Sequence, residues 1–194
     1  TLDLIESMQL KYQGESLKVK DVNWNMNNGR CIVSDLNLQT SDISILMADS
    51  VPEDTTTEEE SMLKWVDLQH VALNDVNFNL NMAPSDSMAI STYIGKANTS
   101  VRIDLENGNY YVAPLKASDV EYQMGNGQAT DLSLQAKALS IDSLSYLSTG
   151  NLYVDYDLQQ STFSYQQSPI DIDSLSGVFR MDSKTLYVDN TRLK

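Results

Sequence analysis

The sequence of 194 residues contains one cysteine and one histidine. A single cysteine excludes an intramolecular disulfide framework and any zinc site built on several cysteines. A single histidine excludes histidine-rich metal sites and makes most catalytic triads depend on His70. Cationic residues are also scarce, with 13 Lys and Arg against 27 Asp and Glu, so the formal net charge is −14. This balance argues against nucleic-acid binding, which needs clustered cations, and against docking on an anionic membrane by charge.

Long apolar runs are missing as well. No stretch approaches the roughly 18 consecutive apolar residues of a membrane-spanning helix. The sequence carries no initiator methionine and no signal peptide, and it opens and closes inside a repeating pattern, which predicts a fragment of a longer chain. About 41% of the residues are nevertheless apolar, so the chain can bury a core.

Apolar and polar residues alternate along almost the whole chain. The pattern is clearest in residues 76–82 and 152–158, and a period of two is the signature of a half-buried strand. Asn-Gly pairs at 28–29, 107–108 and 126–127 are typical of tight hairpin turns. Helical periodicity is weak and confined to residues 58–68. The sequence therefore predicts an all-β, mainly antiparallel fold of roughly sixteen to twenty short strands.

An internal repeat organises these strands. Residues 21–26, 75–80 and 119–124 share the order Asp-Val-x-aromatic-x-Met/Leu, and residues 161–166 form a degenerate fourth copy. The aromatic positions are Trp24, Phe78, Tyr122 and Tyr165. They recur every ~43 residues once the acidic segment 51–61, which we interpret as a mobile surface loop, is set aside. This period predicts one elongated repeat segment over residues 1–194, in which each unit contacts its neighbours.

The parity of the apolar positions changes before each complete motif. Leu73 is odd-numbered and Val76 is even-numbered, and the same change occurs around Asp21 and Asp119. A slip of one residue moves side chains to the other face of a sheet unless the backbone compensates. The pattern therefore predicts a bulge or a bend at Asp21, Asp75 and Asp119, and with it a sheet that curls.

The repeat resembles a known family. Residues 71–78, with the order hydrophobic-x-hydrophobic-x-Asp-Val-x-aromatic, are similar to strands of the AsmA/TamB group of bacterial envelope proteins. So are residues 168–179, where Pro-Ile and a spacer precede a glycine and a strand, followed by a turn and Leu-Tyr-Val. The Asn-, Ser- and Asp-rich composition resembles Bacteroidota versions. The resemblance covers nearly the whole chain, and it rests on the texture of the repeat without a catalytic motif.

This resemblance implies a periplasmic segment of a protein that is anchored in the inner membrane outside this fragment. It implies a curled sheet, the β-taco, whose apolar groove carries phospholipid acyl chains between the inner and outer membranes. The TamB branch (translocation and assembly module) also implies support of outer-membrane protein assembly, with a BamA-type barrel bound through other parts of the chain. No enzymatic activity, cofactor or metal is expected. The groove candidates, chosen by strand parity, are Val22, Trp24, Met26, Val76, Phe78, Leu80, Val120, Tyr122, Met124, Leu132, Leu134, Leu152, Val154 and Tyr165.

The polar candidates have simpler interpretations. His70 has no repeated acid or nucleophile beside it and is expected as a half-exposed strand residue, and Cys31 as a small buried hydrophobe. The pairs Asp155/Asp157 and Asp171/Asp173 could serve calcium binding or glycoside hydrolysis. In alternating strands, however, such acids are more often the solvated face.

Two other functions remain open from the sequence. One is a structural or adhesive β-solenoid without a groove, which the Asn-Gly hairpins disfavour because they join antiparallel strands. The other is a glycan-binding or glycan-active β domain, which needs exposed aromatic side chains beside carboxylates in a cleft. The periodic aromatic residues are expected as a ladder in the core, as the lining of a groove, or as both.

Overall fold

A computed structural model describes residues 2–5, 8–47, 62–82, 88–125, 130–166, 168–182 and 185–194. Within these residues the chain forms one sheet of eleven strands and no helix, so the predicted all-β class is confirmed. The strands are β1 (Leu2–Ile5), β2 (Met8–Asn25), β3 (Arg30–Met47), β4 (Trp65–Met82), β5 (Ala89–Asp104), β6 (Asn109–Val112), β7 (Leu115–Gly125), β8 (Thr130–Tyr146), β9 (Leu152–Tyr165), β10 (Ser168–Met181) and β11 (Leu186–Leu193).

Several sequence predictions fall at the limits of this description. The acidic segment 51–61 and the Asn-Gly pair at 126–127 lie outside the described residues. Residues 65–68, the end of the segment with weak helical periodicity, belong to strand β4. A helix long and apolar enough to cross a membrane does not occur in the described part of the chain.

The strands follow one another across the sheet in chain order, and nearly all neighbours are antiparallel. β6 and β7 share one position between β5 and β8, and the cis Ala113–Pro114 bond separates them. β3 and β4 form the one parallel pair among the described strands, with Arg30 beside Trp65 and Met47 beside Met82. The edge strands β1 and β11 do not pair with each other, so the sheet is open. The described strands therefore do not form the stacked rungs of a β-solenoid, while a structural or adhesive role stays an alternative prediction.

The strands are longer and fewer than the sequence predicted. β2, β3 and β4 each contain 18 residues, because the parity slips do not end the strands. Asp21, Asp75 and Asp119 have φ angles of 50°, 53° and 54°, in the left-handed region. A left-handed residue turns the side chains that follow it to the other face while the strand continues. The backbone irregularity predicted at these three aspartates is confirmed.

Two described hairpin turns follow the predicted chemistry. Asn28-Gly29 joins β2 to β3, and Asn107-Gly108 joins β5 to β6, with φ angles of 66° and 65° at the two glycines. Glycine adopts such angles without the steric cost of a Cβ atom. The Gly29 carbonyl also accepts hydrogen bonds from the backbone N–H groups of Lys64 (2.7 Å) and Trp65 (3.0 Å). These bonds fix the start of β4 beside the start of β3.

A line of left-handed residues crosses the sheet, and we call it the crease. Its left-handed members are Thr40 in β3, Asp75 in β4, Asp119 in β7 and Gln160 in β9, which lie at one level of the register. Gly95 occupies this level in β5, where a Cβ atom would lie 2.9 Å from the Cβ of Asp119. The two strands therefore approach closely at this point of the crease, and a Cβ atom at position 95 would displace its neighbours.

A second line of irregularities crosses the sheet nearer the end where β4 begins. It contains Asp21, a register shift between Leu68 and Val71, the cis bond at 113–114 and a register shift beside Asp142. Asp21 lies here because β2 runs antiparallel to β4 and β7. The motif of residues 21–26 therefore points to the opposite end of the sheet from the motifs of residues 75–80 and 119–124.

The core follows the crease on one side of the sheet, which we call the apolar face. The buried residues of the row on one side of the crease are Leu38, Leu73, Ala97 and Ala117; those of the row on the other side are Ser41, Val76, Val120, Ala136 and Ser161. Val76 is 0% exposed although the described residues form no second layer. Most of these side chains are small.

Candidate functional site

The apolar face is the candidate site, since apolar side chains of successive described strands lie on it in rows that cross the sheet. Toward the end where β4 finishes, one row contains Tyr12, Ile43, Phe78, Tyr122, Leu134 and Phe163, and the next contains Leu10, Ile45, Leu80, Ile90, Met124 and Leu132. Toward the other end, a row contains Val33, Leu68, Val101, Val112, Leu144 and Val154. With strands ~4.8 Å apart, such rows run roughly 25–30 Å across the sheet.

The opposite side of the sheet, the polar face, is built from amide, hydroxyl and carboxylate groups. The Asn77 side-chain amide donates to Asp42 Oδ1 over 2.9 Å, and the Tyr93 hydroxyl donates to Asp75 Oδ1 over 2.9 Å. The hydrogen bond with Asp75 raises the pKa of Tyr93 above its usual value. These hydrogen bonds pair polar side chains with one another at the surface. The polar face is therefore suited to contact with water, whereas the apolar face exposes hydrophobic side chains.

The structure places every predicted groove residue except Met26 on the apolar face. They fall into five rows across the sheet. These rows contain Val76 and Val120; Phe78, Tyr122 and Leu134; Leu80, Met124, Leu132 and Tyr165; Val22 and Val154; and Trp24 and Leu152. Met26 lies in the turn after β2.

The four repeated aromatic residues do not form a single ladder, which was one of the two arrangements that the sequence left open. Trp24 lies beside Cys31, at the other end of the sheet from Phe78 and Tyr122. Phe163 takes the place in their row that was expected for Tyr165. Trp24 is displaced because β2 runs in the opposite direction to β4 and β7. Tyr165 is displaced because, in the fourth copy of the motif, the aromatic residue that aligns with Phe78 lies two residues earlier, at Phe163.

Parity reasoning also missed members of the apolar face. Ile43 and Ile94 pack against the buried core, although neither belongs to a motif copy. The alternation around each of them was the available signal, because a strand paired in register extends the face of its neighbour.

Side chains on the apolar face are buried near the crease and exposed near the β2 end of the sheet. Leu38 is 6% exposed, whereas Leu17 beside it in β2 is 50% exposed. Val33 and Val22 show the same step, from 8% to 59%. On its outer side, β2 pairs with β1 only at residues 8–10, so the rest of β2 has one described neighbour, β3. Contiguous apolar surface of this kind is typical of an interaction site.

The candidate polar residues do not assemble into a catalytic or metal site. His70 is an exposed strand residue, as predicted, with its Nδ1 atom 2.9 Å from Asp35 Oδ1. Cys31 lies in β3 on the apolar face and is half-buried, so it is less buried than predicted, because its neighbour β2 is largely exposed. Among the described residues, no three His, Cys, Asp or Glu side chains gather closely enough to hold a metal ion.

The paired acids lie where alternating strands place them. Asp171 and Asp173 are exposed, and Asp171 accepts a hydrogen bond from the Thr162 hydroxyl over 2.7 Å. Asp155 and Asp157 are half-buried and line a shallow depression near the second line of irregularities. Their chemistry is that of a hydrated surface.

The strongest electrostatic feature was not predicted from the sequence. Asp67 is a buried carboxylate on the polar face that accepts hydrogen bonds from Arg102 Nε (2.7 Å) and Arg30 Nε (3.1 Å). Burial alone would raise the pKa of Asp67, but the hydrogen bonds and charges of Arg102 and Arg30 bring it below its usual value. The partners are 37 and 35 residues away in the chain, so no local motif announces them.

Comparison with known proteins gives no family assignment. No family model matches the chain, and no curated protein matches it.

Proposed function

We propose that this chain is a periplasmic segment of an AsmA/TamB-like protein whose apolar face holds phospholipid acyl chains. The observation that carries the proposal is the apolar face itself, which is continuous across the sheet and has no second layer over it among the described residues. Ordinary sheets bury such a face against another layer. A mobile apolar ligand would take the place of that layer.

The crease supports a groove rather than a flat surface. A sheet that bends toward one face crowds the side chains inside the bend and leaves the outer rows apart. The buried residues here flank the crease, and several are as small as Ala97, Ala117 and Ala136. This distribution fits the β-taco that the family resemblance implies.

The chemistry of the face fits acyl chains better than a polar ligand. Each methylene group removed from water contributes ~0.8 kcal/mol, so about ten methylenes would contribute on the order of 8 kcal/mol before the entropic cost of association. The outer rows offer flexible or aromatic side chains, such as Met124, Phe78 and Phe163, which adapt to an irregular apolar ligand. Transport along such a face needs no catalytic residue and no cofactor.

The cellular role follows from the family resemblance. In this role a parent chain, anchored in the inner membrane, positions the segment as part of a conduit for phospholipid between the two membranes. Support of outer-membrane protein assembly, with a BamA-type barrel as partner of other parts of the chain, is the second role proposed for the same architecture.

The test is to purify the protein without detergent, extract it with organic solvent and quantify phospholipid per chain. Phe78→Asp places a charge on the apolar face, and Asn79→Asp places the same charge one residue away on the polar face, where Ser91 already donates to the position. We expect lipid to be retained by the wild type and by Asn79→Asp, and to be lost from Phe78→Asp.

Circular dichroism keeps a folding defect apart from a binding defect. A folded Phe78→Asp variant that retains as much lipid as Asn79→Asp would contradict the groove. A wild-type protein that is free of lipid and takes up no fluorescent fatty acid would also contradict it, and would direct attention to glycan binding.

A further inference from the structure

Two of the chain's four arginines meet on the polar face, near the end of the sheet where β3 and β4 begin. Arg30 and Arg102 approach Asp67 from the two neighbouring strands and bind opposite oxygens of its carboxylate. One carboxylate thus serves two guanidinium groups. The cluster has a formal charge of +1 within a chain of net charge −14.

Both arginines keep unused donors. Each guanidinium has five N–H groups, and three of the nitrogens in the pair engage Asp67. Within the described residues neither side chain makes any other hydrogen bond or ion pair. The side chains of Arg30 and Arg102 are 47% and 56% exposed, so these free donors face solvent.

The free donors open onto two adjoining depressions that share the arginine pair. One, of about 570 Å³, is lined also by Gln69, Ser100 and Tyr111. The other, of about 550 Å³, is lined also by Asn28 and Trp65. Among the described residues that line either depression, Asp67 is the only acidic one. Hydrogen-bond donors and positive charge therefore converge on a space much larger than an oxyanion.

We propose that the Arg30–Arg102 pair binds a phosphate group, with Asp67 holding the two guanidinium planes in position. Arginine forks match phosphate oxygens in bidentate geometry, and two forks separated by a carboxylate suit a group with three or more acceptor oxygens. A carboxylate ligand has only two oxygens, so it offers the pair fewer acceptors than a phosphate group does. The inference is independent of the acyl-chain proposal, because the arginines and the apolar face lie on opposite sides of the sheet.

The site is tested by equilibrium dialysis of the full chain with radiolabelled orthophosphate at physiological salt. Arg102→Gln should weaken binding by roughly ten-fold or more, as expected for the loss of charge-assisted hydrogen bonds. Lys137→Gln is the matched control, since it removes one positive charge from an exposed ion pair with Asp119 elsewhere on the polar face. Lys137→Gln should leave phosphate binding unchanged.

A second variant separates charge from geometry. Arg102→Lys retains the charge but lacks the planar fork, so it should also weaken binding if the guanidinium geometry matters. If Arg102→Gln does not fold, Arg102→Lys still tests whether Arg102 contributes to phosphate binding. Equal affinity of wild type, Arg102→Lys and Lys137→Gln would overturn the proposal.

The source of the phosphate is decided by a second ligand. Monomeric dihexanoyl phosphatidate carries the same group on a lipid backbone, and glycerol 3-phosphate carries it without acyl chains. Tighter binding of the phosphatidate, lost in Arg102→Gln, would assign a lipid head group; equal binding of all three would assign a free or soluble phosphate. Absence of saturable binding by every probe would leave an ion-pair cluster that only stabilises the fold, and the proposal would be wrong.

Discussion

Gln160 offers the sharpest test of the crease. Its φ angle is 49°, and its side chain is exposed and makes no hydrogen bond among the described residues. A non-glycine residue in the left-handed region costs ~1–2 kcal/mol, whereas glycine pays ~0.5–1 kcal/mol in chain entropy. Gln160→Gly should therefore stabilise the protein by ~0.5–1 kcal/mol. Glycine substitutions in strands normally destabilise, so the sign itself is informative.

The adjacent Gln159 is the matched control. It is exposed in the same strand and does not have a positive φ angle, and the hydrogen bond from its side-chain amide to Asp157 Oδ1 (3.2 Å) is at the surface. Gln159→Gly should destabilise by ~0.5–1 kcal/mol, so the two variants should differ by ~1–2 kcal/mol. Urea unfolding followed by circular dichroism measures both free energies. Equal destabilisation by the two substitutions would refute the left-handed crease in β9.

Three further predictions concern single side chains near the crease and the ion-pair cluster. Gly95→Ala places a Cβ 2.9 Å from Asp119 Cβ, so urea unfolding should show a loss of ~1–3 kcal/mol; no loss would contradict the close approach. Asp67→Asn should lower the free energy of unfolding at pH 7. Because the pKa of Asp67 is lowered in the folded protein, its carboxylate stabilises the fold only while it is ionised, so the difference between variant and wild type should disappear as the pH falls below ~3.9. A difference in unfolding free energy that persists in acid would contradict this assignment. Ser161→Ala removes a buried hydroxyl that lacks a hydrogen-bond partner among the described residues, so thermal unfolding should show no loss or a gain of up to ~1 kcal/mol, whereas a clear loss would contradict it.

Properties that are local in the chain were predictable from the sequence. The period of two gives strands, and the change from Leu73 to Val76 marks a backbone that reverses the side-chain faces at Asp75. Leu73 and Val76 indeed belong to one buried cluster. Parity also assigned the groove candidates to one face, since alternation within a strand is independent of which strands it pairs with.

Properties that depend on pairing were not predictable. A left-handed residue and a turn both interrupt the alternation, so the sequence predicts more and shorter strands than the structure contains among its described residues. The direction of β2 relative to β4 and the parallel pairing of β3 with β4 follow from contacts across the sheet. The meeting of Arg30, Asp67 and Arg102 is a consequence of that same pairing.

The central claim is that acyl chains occupy the apolar face, and the two tryptophans of the chain can test it directly. Trp24 shares a row with Cys31 on the apolar face, whereas Trp65 shares a row with Arg30 on the polar face. A nitroxide-labelled fatty acid should quench Trp24 fluorescence in a Trp65→Phe variant. In a Trp24→Phe variant, the same fatty acid should quench Trp65 fluorescence no more than a water-soluble nitroxide does at equal concentration. Equal quenching of both tryptophans, or quenching of Trp65 alone, would contradict the account.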